Sequence, residues 1–206
     1  MLPSMETPRD AVLNIIGEKV ALGPMRRELL PLYLQWINDF EVTRTLTFAM
    51  QPTTWEAEEV WFQRVTGSEP DDRASGPANL VSFTVFERTT FKPLGTTQLS
   101  NIDHRHRRAE FGIVLGEKDY WGKGYGTETV RLMLDYGFTA LGLHNIMLTT
   151  QSFNERGIGA YMRAGFREIG RRRDAHWLAG RAHDVVYMDC LASEFESPVL
   201  NRLLPK

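Results

Sequence analysis

The sequence predicts an α+β fold in which a mixed, mostly antiparallel central sheet is flanked by helices. Apolar residues recur at helical spacing in several segments, whereas the middle of the chain switches to short β-rich runs separated by polar links. Beyond that region, helices and strands alternate again. A chain of 206 residues is long enough to form one domain with a substantial core.

The first third of the chain is predicted to hold one strand and two helices. Residues 19–22 form the strand, and Pro24 precedes a helix with an apolar face. That face comprises Leu29, Leu32, Tyr33, Trp36, Ile37 and Phe40. Thr53 and Thr54 can cap the second helix. Its apolar stripe comprises Trp61, Phe62 and Val65.

Three β-rich runs follow a predicted loop at 67–79 and are expected to form an antiparallel meander. They span residues 80–87, 94–102 and 108–115. Apolar residues throughout the third run, including Val114, predict a central strand that is covered on both faces.

The last third begins with a glycine-rich segment that leads into a helix. The apolar stripe of that helix comprises Val130, Met133, Leu134, Gly137, Phe138 and Leu141. The order is completed by a strand at 145–150, a helix at 154–164, and closing strands at 166–172 and 185–191 around a loop at 174–183.

Three alternating glycines, Gly122, Gly124 and Gly126, precede the helix and predict a phosphate-binding loop. Glycines let successive backbone N–H groups converge on phosphate oxygens, and the helix adds its positive end. A tight turn without a ligand is the alternative. A P-loop is excluded because Lys123 is followed by glycine and the four-residue spacer is missing, and the G-x-G-x-G spacing differs from the dinucleotide fingerprint.

Composition narrows the class of protein further. A formal net charge of -2 provides no global field for nucleic acid or membranes, so we expect neither as a partner. The single Cys190 cannot form an intramolecular disulfide and fits a reducing compartment; we expect a buried structural cysteine and a cytoplasmic protein. The histidines show no metal-ligand spacing, which predicts no metal.

We expect one domain over residues 17–192. Residues 1–16 are predicted to be a loosely attached leader with one short strand around 11–16, and residues 193–206 a C-terminal tail. The sequence does not set the oligomeric state and is compatible with a homodimer.

Two motifs in this order resemble the signatures of a known superfamily. The first is Trp121 to Gly126, which aligns with Arg/Gln-x-x-Gly-x-Gly/Ala. The second is Asn154 and Tyr161 followed by Gly165-Phe166. Together they resemble the GNAT superfamily of acetyl-CoA-dependent N-acetyltransferases, most closely the branch of ribosomal-protein N-terminal acetyltransferases and bacterial spermidine acetyltransferases.

The resemblance implies the GNAT fold, acetyl-CoA as cosubstrate, a primary amine as acceptor, and direct acetyl transfer. It also implies that the strand at 111–115 splays from its neighbour and pairs its backbone with the pantetheine arm. The implied cofactor-binding residues are Ile113, Val114, Leu115, Trp121, Gly122, Lys123, Gly124, Tyr125, Gly126, Thr127, Asn154 and Tyr161. Trp121 departs from the usual Arg or Gln, but backbone amides can still hold the phosphates.

The resemblance further implies two catalytic residues. Glu110 would remove a proton from the amine, and Tyr161 would protonate the departing thiolate. The alternative for Glu110 is an ion pair with Arg105, Arg107 or Arg108. The alternative for Tyr161 is core packing beside Ile158 and Met162.

The acceptor stays open among a protein N-terminus, a polyamine and a small-molecule amine such as an aminoglycoside, and specificity is expected in the segment at 39–54. The aromatic residues Trp36, Trp55, Trp61 and Phe48 are interpreted as core. Acidic residues in the first half of the chain could attract a polyamine, but ordinary acidic helix faces are the preferred interpretation. They are Asp39, Glu41, Glu56, Glu58, Glu59, Asp71 and Asp72. A noncatalytic acyl-CoA-binding regulatory module with the same fold is the second function, suggested by Trp121 and by Gly157 and Gly159 within a helix. Each helix glycine costs about 1 kcal/mol relative to alanine.

Overall fold

The structure is a computed structural model that describes residues 12–46, 50–67 and 79–204. Its strands are β1 (Ile15–Ile16), β2 (Val20–Pro24), β3 (Val81–Glu87), β4 (Pro93–Asp103), β5 (Arg108–Leu115), β6 (Asn145–Gln151), β7 (Arg167–Leu178) and β8 (Arg181–Leu191). They form one sheet in the order β1-β2-β3-β4-β5-β6-β8-β7. Among the described strands, only β5 and β6 pair in parallel, which confirms the predicted mixed, mostly antiparallel sheet.

Helices cover both faces of this sheet. They are α1 (Leu30–Asn38), α2 (Phe40–Thr43), α3 (Trp55–Thr66), α4 (Tyr125–Asp135) and α5 (Glu155–Ala164). Neighbouring strand residues point to opposite faces, so Val85 packs in the core beneath α4 whereas Phe86 packs with α1 and α3. The sheet therefore separates two hydrophobic cores.

The first predicted helix is interrupted at Asp39. This residue has extended backbone, and its side chain accepts a hydrogen bond of 2.9 Å from the Glu41 N–H, which starts α2. Phe40 consequently leaves the apolar face and is 49% exposed. Its predicted place in the core was wrong, while Leu29, Leu32, Tyr33 and Trp36 are buried as predicted. The strand predicted at 19–22 is β2, which lies slightly later, at Val20–Pro24.

The helix after the glycine-rich segment keeps its predicted buried stripe but not its predicted regular geometry. Val130, Met133 and Leu134 are buried, and the chain then continues as a π-helical turn over Tyr136–Ala140. A Cβ atom on Gly137 would lie 2.5 Å from Ile146 Cδ1, so this turn packs directly on β6. Apolar spacing alone does not distinguish an α turn from a π turn.

A buried carboxylate fastens the end of the described chain to this helix. Asp135 is fully buried, and one of its oxygens accepts 2.9 Å hydrogen bonds from the N–H groups of Val199 and Leu200. Its other oxygen accepts from the Thr139 hydroxyl at 2.8 Å. Residues within the predicted tail thus pack onto the domain.

The predicted loop at 174–183 was wrong, because β7 and β8 continue through it as a hairpin. Their turn is Ala179–Gly180, where both residues have positive φ. The pairing shifts at a bulge between Arg172 and His176. β7 is an edge strand, and most of its residues are exposed. Polar residues are therefore tolerated along this edge strand. For that reason its amino-acid composition resembles that of a loop.

The prediction that β5 is covered on both faces was also wrong. Ala109 and Phe111 are buried on one face, but Glu110 on the opposite face is exposed. Gly112 and Val114 follow Glu110 on that face and border a large cavity. On this second face of β5, an open cavity lies where the prediction placed a covering layer of side chains.

Candidate active site

The two parallel strands diverge soon after they meet. β5 and β6 pair only from Arg108 to Glu110 on β5, whereas β5 pairs with β4 along most of its length. Among the described strands, none pairs with the β6-facing edge of residues 111–115. The splay implied by the family resemblance is thus present, and its backbone N–H and C=O groups can hydrogen bond to an extended ligand.

The glycine-rich loop lies beside this opening. Gly122 and Gly124 have φ angles of 72° and 91°, a region that favours glycine. Gly124 is the N-cap of α4 and provides no side-chain cap. The first N–H groups of α4 are therefore oriented to bind an anion at the positive end of the helix.

A carboxylate in the first turn of α4 holds the loop in place. Glu128 accepts hydrogen bonds from the backbone N–H groups of Glu18 and Lys19, the latter at 2.9 Å. Lys19 Nζ donates to the carbonyl of Lys123 at 3.0 Å. A Cβ on Gly17 would lie 2.3 Å from Glu128 Oε1. The turn between β1 and β2 is thus built to receive this side chain.

A narrow cleft of about 130 Å³ is bordered by the splayed edge of β5, the glycine-rich loop and α5. All of the predicted cofactor-binding residues line it except Lys123 and Tyr125. The Tyr125 ring packs edge-on against Tyr120, with ring centroids 5.0 Å apart. The Lys123 carbonyl is bonded to Lys19.

Trp121 closes one wall of the cleft together with an arginine that sequence reasoning missed. Its Nε1–H donates to the Leu115 carbonyl at 2.8 Å, and the guanidinium of Arg156 lies 3.9 Å from the centre of its ring. Burial lowers the pKa of Arg156, and repulsion from the positive charge of Arg44 lowers it further. The cleft therefore contains a positive charge held against an aromatic face. The sequence offered one signal for this missed arginine. It was Trp121 itself, because the family usually has Arg or Gln at that position.

Asn154 lies at the cleft but its side chain is already occupied. As the N-cap of α5, its Oδ1 accepts from the Gly157 N–H at 3.1 Å, and its Nδ2 donates to Thr150 Oγ1 at 3.0 Å. A Cβ on Gly157 would lie 2.3 Å from that Nδ2. Gly157 is thus required by the cap, and Asn154 positions the helix that carries Tyr161.

Tyr161 stands where the cleft meets a second, larger cavity of about 730 Å³. Five residues line both spaces: Thr45, Leu46, Ile113, Val114 and Tyr161. The Tyr161 ring packs near Phe111 and Phe166, with centroids 6.3 Å and 6.2 Å away. Burial raises the pKa of its phenol to about 12, so the hydroxyl carries its proton at neutral pH.

Glu110 lines the larger cavity at the last residue where β5 and β6 pair. Its alternative interpretation as an ion-pair residue finds no support, since no ion pair to Glu110 forms among the described residues. Arg108 pairs with Asp103 at 3.4 Å, and Arg107 Nε donates to the Gly142 carbonyl at 2.6 Å. The carboxylate of Glu110 is thus free to face a substrate.

The larger cavity is lined in part by residues that the sequence interpretation assigned to the core or to a helix surface. Tyr33, Trp36 and Trp61 line it, together with Glu58. Glu58 is only 5% exposed, and burial raises its pKa to about 7. In the sequence, Glu58 was one of several acidic residues without distinction. The predicted specificity segment contributes Thr45 and Leu46, while Phe48 lies outside the described residues.

Cys190 is buried on β8, in agreement with its interpretation as a structural cysteine, and burial raises its pKa to about 11. Within the described residues, no group of three His, Cys, Asp or Glu side chains could hold a metal ion. None of the helices in that part of the chain is long and apolar enough to cross a membrane.

The splayed strands and the uncapped, glycine-rich start of α4 agree with the acyl-CoA-dependent transferase that the resemblance implied. The family model of the acetyltransferase (GNAT) domain matches residues 19–167. This chain belongs to the GNAT acetyltransferase family and is an acyltransferase that uses acetyl-CoA.

Several known proteins are similar to it. An uncharacterized N-acetyltransferase of Bacillus licheniformis is 30% identical over 182 residues, which cover 88% of this chain and 98% of that protein. Spermidine N(1)-acetyltransferase of Escherichia coli is 36% identical over 94 residues, which cover 46% of this chain and 50% of the enzyme. The crystal structure of Vibrio cholerae spermidine N-acetyltransferase in complex with CoA and spermine has a TM-score of 0.75 at 24% identity, covering 86% of this chain and 98% of that one. This last likeness concerns the fold.

Proposed function

We propose that this chain transfers acetyl from acetyl-CoA to a primary amine of a small polyamine, in a ternary complex without a covalent intermediate. The observation that carries the proposal is the position of Tyr161, which lines both the cleft beside the glycine-rich loop and the larger cavity. The acyl donor would lie in the cleft and the amine in the cavity.

The cleft offers three kinds of contact to acetyl-CoA. The open edge of residues 113–115, apart from the Leu115 carbonyl that already accepts from Trp121 Nε1, would pair with the amide groups of the pantetheine arm. The first N–H groups of α4 would bind the pyrophosphate. Arg156, held against Trp121, would add a positive charge beside position 121, where this chain lacks the family's usual Arg or Gln.

The amine must lose a proton before it can attack. For a lysine-like amine with a pKa near 10.4, exposing the lone pair at pH 7 costs about 4.6 kcal/mol. Glu110 would accept this proton, directly or through water. The amine nitrogen then attacks the thioester carbon, and the tetrahedral intermediate collapses as the carbon–sulfur bond breaks. Tyr161 would donate its proton to the leaving thiolate, so that the acetylated amine and CoA are released.

Two observations favour a polyamine over the other acceptors. The matched Escherichia coli relative is a spermidine N(1)-acetyltransferase, and two carboxylates, Glu58 and Glu110, line the acceptor cavity. Carboxylates attract a polycationic substrate by direct charge complementarity. A protein N-terminus and an aminoglycoside are the competing acceptors.

The test is release of CoA thiol from acetyl-CoA in the presence of a panel of polyamines, amino-terminal peptides and aminoglycosides. We expect the polyamines to give the highest kcat/KM. Tyr161→Phe should lower kcat by about 100-fold, as expected for loss of a general acid, with little change in acetyl-CoA KM. Tyr187→Phe is the matched control, because Tyr187 lies on β8 and lines neither cavity. Acetyl-CoA binding without thiol release for any acceptor would instead support the noncatalytic module, and unchanged turnover in Tyr161→Phe would remove this residue from the acid role.

A further inference from the structure

Glu58 occupies a position on α3 that the helix otherwise gives to apolar side chains. Glu58, Phe62 and Val65 follow one another at i, i+4 and i+7, so they share one face of the helix. Phe62 and Val65 are 6% and 8% exposed, and Glu58 is 5% exposed. The chain therefore buries a carboxylate where packing alone would favour a hydrophobic residue.

The surroundings of Glu58 do not satisfy this carboxylate. Within residues 12–46, 50–67 and 79–204, no hydrogen bond or ion pair reaches its side-chain oxygens. The neighbouring polar groups are engaged elsewhere: the Tyr33 hydroxyl bonds to Thr84 Oγ1 at 2.6 Å, and Trp36 Nε1 donates to Glu117 at 3.2 Å.

The space in front of Glu58 is the acceptor cavity. The charged side chains that line it are Glu58 and Arg64 on α3 and Glu110 on β5, among the described residues. Arg64 makes no ion pair with Glu58, and desolvation is the cause of the raised pKa of Glu58, without an offsetting positive charge. The rings of Tyr33, Trp36 and Trp61 line the same cavity.

A buried carboxylate without a partner is costly, and a cation that enters the same space removes that cost. Aromatic faces add further attraction for an ammonium group. Glu58 thus has the environment of a binding site whose missing component is a positive charge.

We propose that Glu58 binds a second, unreactive ammonium group of the acceptor, while the reacting amine lies at Tyr161. This assignment rests on the proposed function and deepens it, because it makes Glu58 the residue that selects diamines and polyamines over monoamines. Glu110 would serve the reacting end of the substrate, and Glu58 the distant end.

The experiment compares linear diamines of increasing length, beginning with putrescine, with monoamines of the same chain length. In Glu58→Gln, we expect the KM of the best diamine to rise about 10-fold to 100-fold, the range of one lost charge-assisted hydrogen bond. The KM of the matched monoamine and that of acetyl-CoA should change less than about twofold, and kcat at saturating diamine should stay near that of the wild type. Glu58→Asp should restore part of the diamine preference, because it keeps the charge.

Glu56→Gln is the matched control: it removes one negative charge from an exposed position two residues earlier on the same helix. An equal rise in KM for diamine and monoamine in Glu58→Gln would overturn the proposal, as would the same effect in Glu56→Gln. A wild-type enzyme that acetylates amines without preferring diamines would overturn it while leaving the proposed transferase chemistry intact. The absence of thiol release with every amine would overturn both.

Discussion

Replacing Glu58 by glutamine removes a buried negative charge while nearly preserving the shape of the side chain. A glutamate ordinarily has a pKa of 4.5, and burial raises that of Glu58 to about 7. The folded protein therefore binds this proton more tightly than the unfolded chain does. The contribution of Glu58 to stability is fully present below about pH 4.5 and is lost as the pH rises through about 7.

The size of this effect follows from the same two values. Their difference corresponds to about 3.4 kcal/mol at 1.36 kcal/mol per pH unit, and water in the open cavity reduces it to about 2 kcal/mol. In the absence of acceptor at pH 8.5, Glu58→Gln should thus have a free energy of unfolding about 2 kcal/mol higher than the wild type. The gain should shrink toward zero as the pH approaches 5.

Urea denaturation of both proteins at several pH values between 5 and 8.5 measures this difference, provided that the m-values agree. Glu56→Gln again serves as control and should show no comparable pH-dependent gain. A difference between Glu58→Gln and the wild type that is constant across the pH range would refute the reasoning. So would a variant that is less stable than the wild type at pH 8.5, because Glu58 would then have a stabilising partner.

Three further predictions test the cleft and its supports. Arg156→Gln should raise the Kd of CoA, measured by calorimetry, by about 10-fold and less so at high salt, because a charge-assisted contact with an anion is lost; an unchanged Kd would show that the guanidinium does not reach the cofactor. Gly157→Ala should lower the free energy of unfolding by about 1–2 kcal/mol, since the new Cβ displaces the Asn154 cap. Gly159→Ala should instead raise it by up to about 1 kcal/mol. Equal effects of the two substitutions in urea denaturation would contradict this assignment. Glu110→Gln should move the rise of kcat/KM with pH to higher values, because the amine must then lose its proton without that carboxylate; an unaltered profile would indicate a relay through water.

Much of the fold was predictable because its signals are local. The stripe from Val130 to Leu134 and the β-rich runs repeat within a few residues of one another, and such periodicity reports the local backbone directly. The prediction failed where the local pattern of apolar residues did not decide the structure. Asp39 caps a new helix and turns Phe40 outward, and the exposed edge strand β7 carries polar residues that resemble those of a loop.

The candidate site likewise has features that local motifs predicted and features that they did not. The glycine loop and the pattern of Asn154 and Tyr161 are short motifs, so the sequence by itself determined the family and the acyl donor, and it predicted the region where that donor would bind. The cap that Asn154 makes with the Gly157 N–H is local, but its second bond, to Thr150, becomes visible only when β6 and α5 are placed together.

Only the tertiary structure decided which side chains share the two cavities. Trp121 and Arg156 lie on different elements and meet because α4 and α5 pack side by side. Glu58 is unremarkable among the acidic residues of its helix until its burial and its lack of a partner are known. Burial and electrostatic partners depend on contacts between distant parts of the chain, and for that reason residue spacing could identify the chemistry of this protein but not the charge that we propose selects its acceptor.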